Sequence, residues 1–308
     1  MSALTYSYQC SVLVFEHTIV KNYIQLHFCL SASLIMFKLK CIKELAKKGY
    51  RVIVHGRDSA RIKAACKEVK AVAQHSADAI PALADLSSIE GCESLASIVE
   101  EKCPGHLDLI INNAGIFSDG NGRKVVGEHD LEETFAVNVL APFVVTSLLL
   151  PLLTVNDGTR ILVVSSISQS YQIDDWDDLQ FERRPYSAHR SYSESKLLDA
   201  MLCFEMSDRL KASGFDTSRV TCNTLDPGTV NTKMLLAGWG ACGIPVKRAL
   251  DQTWLATSDE VEGVTGQYYV GRYNRKAASC AYDAGTRSKL WDILSGLAPD
   301  AAAMWKKL

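Results

Sequence analysis

Tyr192 and Lys196 stand four residues apart in "RSYSESKLLDAM". On a helix that spacing puts both side chains on one face. A free phenol keeps its proton to about pH 10 and is a poor acid–base group near neutrality. An ammonium beside it favours the phenolate and lowers that value. The pair can therefore give a proton to, or take one from, an alcohol or carbonyl oxygen. Ser165 and Ser166 close the apolar run "RILVVSS", and a serine hydroxyl at a strand end can hold the same oxygen. Taken singly, a Tyr–Lys pair at this spacing is usually a surface pair, and two serines at a strand end are an ordinary turn.

Such chemistry needs elements to position it. From residue 39 onward the pattern alternates helix and strand. Leu39, Ile42, Leu45 and Ala46 recur at helical spacing, and Gly49 sits where a helix stops. "YRVIVHG" is a β-branched strand. "DSARIKAACKEVKAV" follows as a helix capped by Asp58 or Ser59. Strand "IPALADL", helix "IEGCESLASIVEEKC" and strand "LDLIINNAG" come next, then a long apolar helix over Leu131–Leu153. Strand "RILVVSS", a helix over Ser191–Ala212, and strands "RVTCNTL" and "GQYYVG" complete the series. Strands separated by helices of this length imply βαβ units, right-handed crossovers and an α/β fold: one doubly wound parallel sheet with helices on both faces. Ligands in such a sheet bind beyond the carboxyl ends of the strands, where the serines and the tyrosine fall.

Composition narrows the class. The 308 residues suffice for one large domain. A hydrophobic share of 47% with 22% charged residues is an ordinary globular mixture. The net charge of −2, without a long basic run, argues against nucleic acid as a partner. Ten cysteines, none in a C-x-x-C pair, read as reduced core thiols rather than metal ligands or a disulfide framework. The apolar stretch "HFCLSASLIMF" is short for a bilayer span and has no basic region ahead of it. It reads as a buried strand or an ill-fitting leader, with a membrane anchor as the alternative.

Five motifs now fall in order: "IINNAGIF", "FAVNVLAPF", the serine pair, Tyr192–Lys196 and "LDPGTVNT". Together they resemble the short-chain dehydrogenase/reductase family, and in particular its retinol-dehydrogenase-like and protochlorophyllide-reductase-like members. Those members also carry a longer insert between serine and tyrosine, the place that "YQIDDWDDLQFERRPYSAHR" takes here. The resemblance covers roughly residues 39–270. It implies a Rossmann-type domain over 39–308, with a substrate lid near 233–262 and an atypical segment at 1–38. It also implies roles. Tyr192 is the acid or base, Lys196 lowers its pKa and holds the nicotinamide ribose, Ser166 binds the substrate oxygen, and Asn138 supports a proton relay. Asn112, Ala114 and Gly115 line the adenosine side, Asp85 and Leu86 contact adenine, and Pro227, Gly228 and Thr232 flank the nicotinamide.

An acidic residue ending the second strand would select NAD through the ribose 2′-hydroxyl. Here the strand ends His55-Gly56-Arg57, with Arg61 one turn on. Arginines suit a 2′-phosphate, so NADP is favoured over NAD. Met234, Leu235, Leu236, Trp239 and Trp254 in the lid segment fit a lipophilic carbonyl or alcohol substrate, or plain packing. The resemblance admits a homodimer, through long helices such as 131–153 and 191–212, or a monomer, and does not choose between them. A cytoplasmic location is the default reading, with an organelle or membrane surface as the alternative.

One element is missing. The family's first strand ends in T-G-x-x-x-G-I-G, yet the first glycine here is Gly49. "IQLHFCL" takes the place of that strand and "SASLIMFK" that of the loop, with the expected glycines near Ala32, Met36 and Lys38. Those glycines make the tight turn and let backbone approach the pyrophosphate. Three readings stand: an NADP-dependent oxidoreductase, a non-catalytic scaffold or interaction protein that holds its cofactor poorly, and a chain whose first strand and loop were replaced by an alternative start or a gene-model error.

Overall fold

The β-branched segment Val52–Gly56 (β2) is buried along its whole length, as a strand covered on both faces must be. In the computed structural model, which describes residues 24–26, 34–74, 78–118, 122–216, 218–228 and 250–308, its neighbour is Ile24–Leu26 (β1), drawn from the segment expected to supply the first strand. β1 pairs in parallel with β2 on one side and with Leu109–Asn112 (β4) on the other, Ile24 lying opposite both Val52 and Leu109. Ala79–Leu83 (β3) completes that edge, and Pro81 sits in it where an edge strand tolerates a missing N–H. Beyond β4 come Thr159–Val164 (β7), Val220–Asp226 (β8), Tyr268–Val270 (β9) and Tyr273–Arg275 (β10). The order is β10-β9-β8-β7-β4-β1-β2-β3, parallel except for the β9–β10 pair. The winding therefore reverses between β1 and β4, and the crevice at their carboxyl ends is the ligand position of a doubly wound sheet.

Two apolar cores flank the sheet. One packs helices α1 (Leu34–Lys47), α2 (Ser59–Lys70) and α7 (Asp251–Thr257) against Val52, Val54, Leu109, Ile111 and Leu162. The other gathers α3 (Ile89–Lys102), the helical run after β4, α6 (Ala188–Ala212) and the C-terminal helices α8 (Ala284–Leu297) and α9 (Pro299–Trp305). Among the described residues no helix is long and apolar enough to cross a membrane. The seven cysteines among them all carry free thiols.

Several expectations are corrected. α1 begins at Leu34, ahead of Leu39, so positions 36 and 38 lie in its opening turns rather than in a loop. The apolar helix over Leu131–Leu153 is not one helix. Leu131–Glu132 (β6) pairs with Val125–Val126 (β5), and Glu132 then caps the helix by accepting from Phe135 N at 2.7 Å. The run α4 follows as Glu133–Phe135, a π-helical turn Ala136–Leu140, and Ala141–Leu148. It breaks at Leu149 because Pro151 has no N–H to continue it, and α5 (Leu150–Leu153) restarts there. α6 starts at Ala188, three residues early, capped by the Ser187 side chain. Asp58, rather than Ser59, caps α2.

α4 and α6 pack against the chain's own C-terminal helices. Trp291 of α8 meets Phe143 edge-on at 5.1 Å. Arg287 pairs with Asp208 at 2.6 Å and Glu205 at 3.4 Å on α6. Trp305 of α9 donates to Ser147 Oγ at 2.7 Å. Of the expected lid, Met234, Leu235, Leu236 and Trp239 lie outside the described residues, as does Thr232. Trp254 sits on α7 and packs edge-on against Tyr269 at 5.5 Å, a core role rather than a pocket wall.

Candidate active site

The carboxyl ends of β4, β7 and β8 and the first half of α6 converge on one spot. Ser165 is 2% exposed and turned inward, its Oγ donating to Lys196 O at 2.5 Å. Ser166 is half-buried at the end of β7, and its hydroxyl eases ionisation of the Tyr192 phenol. Tyr192 is buried, with Lys196 Nζ 5.8 Å from its ring centroid. Burial pushes the phenol above its ordinary value, and Lys196 and Ser166 only partly offset that. Lys196 Nζ donates to Val164 O at 3.0 Å and to Asp199 Oδ2 at 2.7 Å. Burial opposes its charge, but Asp199 holds the ammonium above its usual range.

Asn138 lies in the π-helical turn, where the extra residue per turn redirects a side chain toward a site. Its Oδ1 accepts from Ile116 N at 2.8 Å, and its Nδ2 donates to Ile116 O at 3.1 Å and Ser195 Oγ at 2.9 Å. Ser195 in turn donates to Tyr192 O at 2.7 Å. The amide thus ties the loop after β4 to the tyrosine's own turn of helix. A Cβ on Gly115 would stand 3.5 Å from Lys196 Nζ and 3.7 Å from Asn138 Oδ1. Both are ordinary contact distances, so Gly115 lies directly against the ammonium and the Asn138 amide. Gly228 has φ +86, a conformation that favours glycine, and its N–H donates to Asp226 Oδ2 at 3.0 Å. Pro227 precedes it in the same turn.

The adenosine side is less uniform. Arg57 is exposed just after β2. Arg61 is paired with Asp58 at 3.3 Å. Asp85 is exposed and accepts from Ser87 N at 3.1 Å, whereas the Leu86 side chain is buried in the core. Ala114 is buried behind the crevice. The Asn112 amide donates to Thr146 Oγ1 on α4 at 2.8 Å and so braces that helix.

Sequence reasoning missed several neighbours. Phe117 meets the Tyr192 ring edge-on at 5.7 Å and His189 at 5.0 Å. Asp226 accepts from Ile167 N at 2.9 Å and so joins the turn after Ser166 to the Pro-Gly turn. Arg184, in the insert, grips Glu194 with both terminal nitrogens at 2.8 and 2.5 Å. A groove of about 780 Å³ is lined by Ile167 and Ser193, the chain neighbours of Ser166 and Tyr192, and by Gln169, Tyr171, Val270 and Arg275.

Comparison with known proteins agrees with this geometry. A family model described as short chain dehydrogenase matches residues 39–238. Human retinol dehydrogenase 14 is 32% identical over 276 residues, covering 81% of this chain and 79% of the relative. Human polyprenol dehydrogenase is 29% identical over 267 residues, covering 81% and 78%. An uncharacterised protein from Mycobacterium Paratuberculosis superposes with a TM-score of 0.70 at 24% identity, covering 90% of this chain and 93% of that one. The landomycin C-6 ketoreductase with bound NADP and rabelomycin does so with a TM-score of 0.55 at 19% identity, covering 80% and 93%, a likeness of fold. The ordered motifs, the sheet and these relatives lead to one conclusion: the chain belongs to the short-chain dehydrogenase family and is an oxidoreductase acting on an alcohol or carbonyl.

Proposed function

We propose that this oxidoreductase interconverts a lipophilic carbonyl and its alcohol, with NADP as the hydride carrier and Tyr192 as the acid or base. The observation that carries this reading is the convergence of Ser166, buried Tyr192 and Lys196 at the carboxyl ends of the strands, where the serine and the ammonium both ease ionisation of the phenol. A carbonyl oxygen placed between the two hydroxyls accepts from both. Ser166 holds it, and Tyr192 delivers a proton to it in reduction or removes one in oxidation. When bound, the nicotinamide supplies or accepts the hydride at the carbonyl carbon. Lys196 stands behind Gly115 to meet the ribose, Pro227 and Gly228 border the nicotinamide end, and Asn138 holds the loop and helix in register. Arg57, exposed at the end of β2, favours NADP. Ile167, Tyr171 and Val270 in the groove wall suit an apolar substrate, and the retinol and polyprenol dehydrogenases among the relatives are named for lipid alcohols.

A second reading, that the chain holds its dinucleotide poorly, is favoured by one observation: helix occupies positions 34–38, where the family's glycine loop is expected. One experiment separates the two. Native chain and Tyr192→Phe are titrated with NADPH by fluorescence and assayed for carbonyl reduction. The first reading expects both to bind NADPH and only the native chain to turn over. Failure of both to bind supports the second reading, and normal turnover by Tyr192→Phe overturns the assigned role.

A further inference from the structure

Lys196 is not an isolated cation. Its ammonium forms an ion pair with Asp199 at 2.7 Å, and the two side chains are only 5% and 1% exposed. The second Asp199 oxygen, Oδ1, is buried with no hydrogen-bond partner among the described residues. Tyr192, Lys196, Asp199 and Cys203 follow one another at intervals of four, three and four along α6, so they form one stripe on its surface. That stripe faces the sheet, since Cys203 Sγ lies 3.5 Å from Cys222 Sγ on β8. Around the pair stand Tyr192 and Cys203 on α6, Cys222 and Asp226 on β8, and the Val164 carbonyl at the end of β7. Arg287, the cation that α8 presents to α6, is engaged farther along by Glu205 and Asp208. Lys196 is therefore the one cation the structure places against Tyr192 among the described residues, and Asp199 is in contact with it.

An ammonium and a carboxylate this close act on a third group nearly as a dipole, not as a full charge. We propose that Asp199 is a positioning residue that sets the charge Tyr192 feels. It holds Lys196 as half of a neutral pair, and the ammonium eases ionisation of the phenol fully only when Asp199 carries a proton. This rests on Tyr192 being the proton donor of the proposed reaction. Burial, partly opposed by Lys196, pushes the Asp199 carboxyl up to about 7, so the pair changes charge near neutrality.

The test reads Tyr192 directly and needs neither cofactor nor turnover. Ultraviolet difference titration of the native chain against Tyr192→Phe gives the phenol's midpoint, expected at or above the ordinary value of about 10. A native midpoint below it overturns the proposal without any change at Asp199. In Asp199→Asn the midpoint is expected to fall by about one pH unit or more, and in Asp199→Glu to return toward the native value. An unchanged midpoint in Asp199→Asn, or equal shifts in the Asn and Glu variants, overturns it. In the assay, the alkaline limb of the kcat profile for reduction moves to lower pH with the phenol. A shifted midpoint in a chain that reduces no carbonyl sustains the charge-setting role and overturns the functional reading instead.

Discussion

Arg184 and Glu194 form a two-pronged ion pair that clamps the insert onto the turn of α6 that bears Tyr192, with side chains 12% and 3% exposed. The guanidinium also lies 3.8 Å from the Phe181 ring centroid, and Phe181 itself takes φ +56, an unfavoured backbone for a bulky side chain. Asp178 anchors the same loop by accepting from the backbone N–H groups of Glu182, Arg183 and Arg184. Removing Arg184 leaves a buried carboxylate uncompensated two residues from Tyr192. Arg184→Ala is therefore expected to lose about 3 kcal/mol of stability in urea denaturation. The double change Arg184→Met with Glu194→Leu should recover most of it. A loss below about 1 kcal/mol would mark the pair as no stronger than a surface bridge.

The two arginines after β2 are not equivalent. Arg61 already pairs with the Asp58 that caps α2, whereas Arg57 is exposed at the strand end. Arg57→Ala is expected to weaken NADPH binding about tenfold and leave NADH nearly unchanged, because a charged hydrogen bond to the 2′-phosphate is lost. Arg61→Ala should change NADPH affinity by about twofold. Calorimetric titration with both nucleotides reads the difference, and an equal loss for NADH would show that Arg57 does not read the 2′ position.

Stability should fall on the alkaline side. Burial pushes the Cys41 thiol up to about 12, Cys66 to about 11 and the Tyr50 phenol to about 12. In the unfolded chain these groups ionise at about 8.5 for a thiol and 10 for a phenol. Between the unfolded and folded values the native state holds protons that the unfolded state has released, so the free energy of unfolding drops as pH rises. It is unaffected by these groups below about pH 8. The fully buried Cys41 alone contributes a slope of about 1.4 kcal/mol per pH unit within its window. Urea midpoints measured from about pH 7.5 to 10 check this, and Cys41→Ala should flatten the slope even though it lowers the plateau.

The sheet was legible because its strands are short β-branched runs separated by helices of a dozen residues. Position in the fold was harder to read. Ile24–Leu26 has no glycine after it to announce a phosphate loop, yet it takes the central place that its apolar character and spacing permit. β10, "YNR", is exposed throughout and carries no alternation to detect. Tyr192 and Lys196 stand out only in company with the other motifs in their order along the chain. Asp199 does not, since an acid three residues after a lysine reads as a solvated helix pair until the near-complete burial of α6 makes it a charge in the interior. Asn112 has a structural bond that its motif does not announce, since its amide holds Thr146. The C-terminal helices carried their own signal, with Asp283 as cap and Leu290, Trp291 and Leu294 at helical spacing.

Those last helices have a consequence for the whole molecule. Trp291 is wedged between Phe143 and Trp305, with the Arg209 guanidinium 4.0 Å from its ring centroid, and Phe204 stacks on Tyr282 at 4.9 Å. The tail shields the outer side of α4 and α6 as a neighbouring subunit would. A chain ending at Asp283 would bare a continuous greasy strip on the helix that bears Tyr192. Its fate would be self-association through that strip, and the catalytic groups would be lost to clumping rather than to any change in their chemistry.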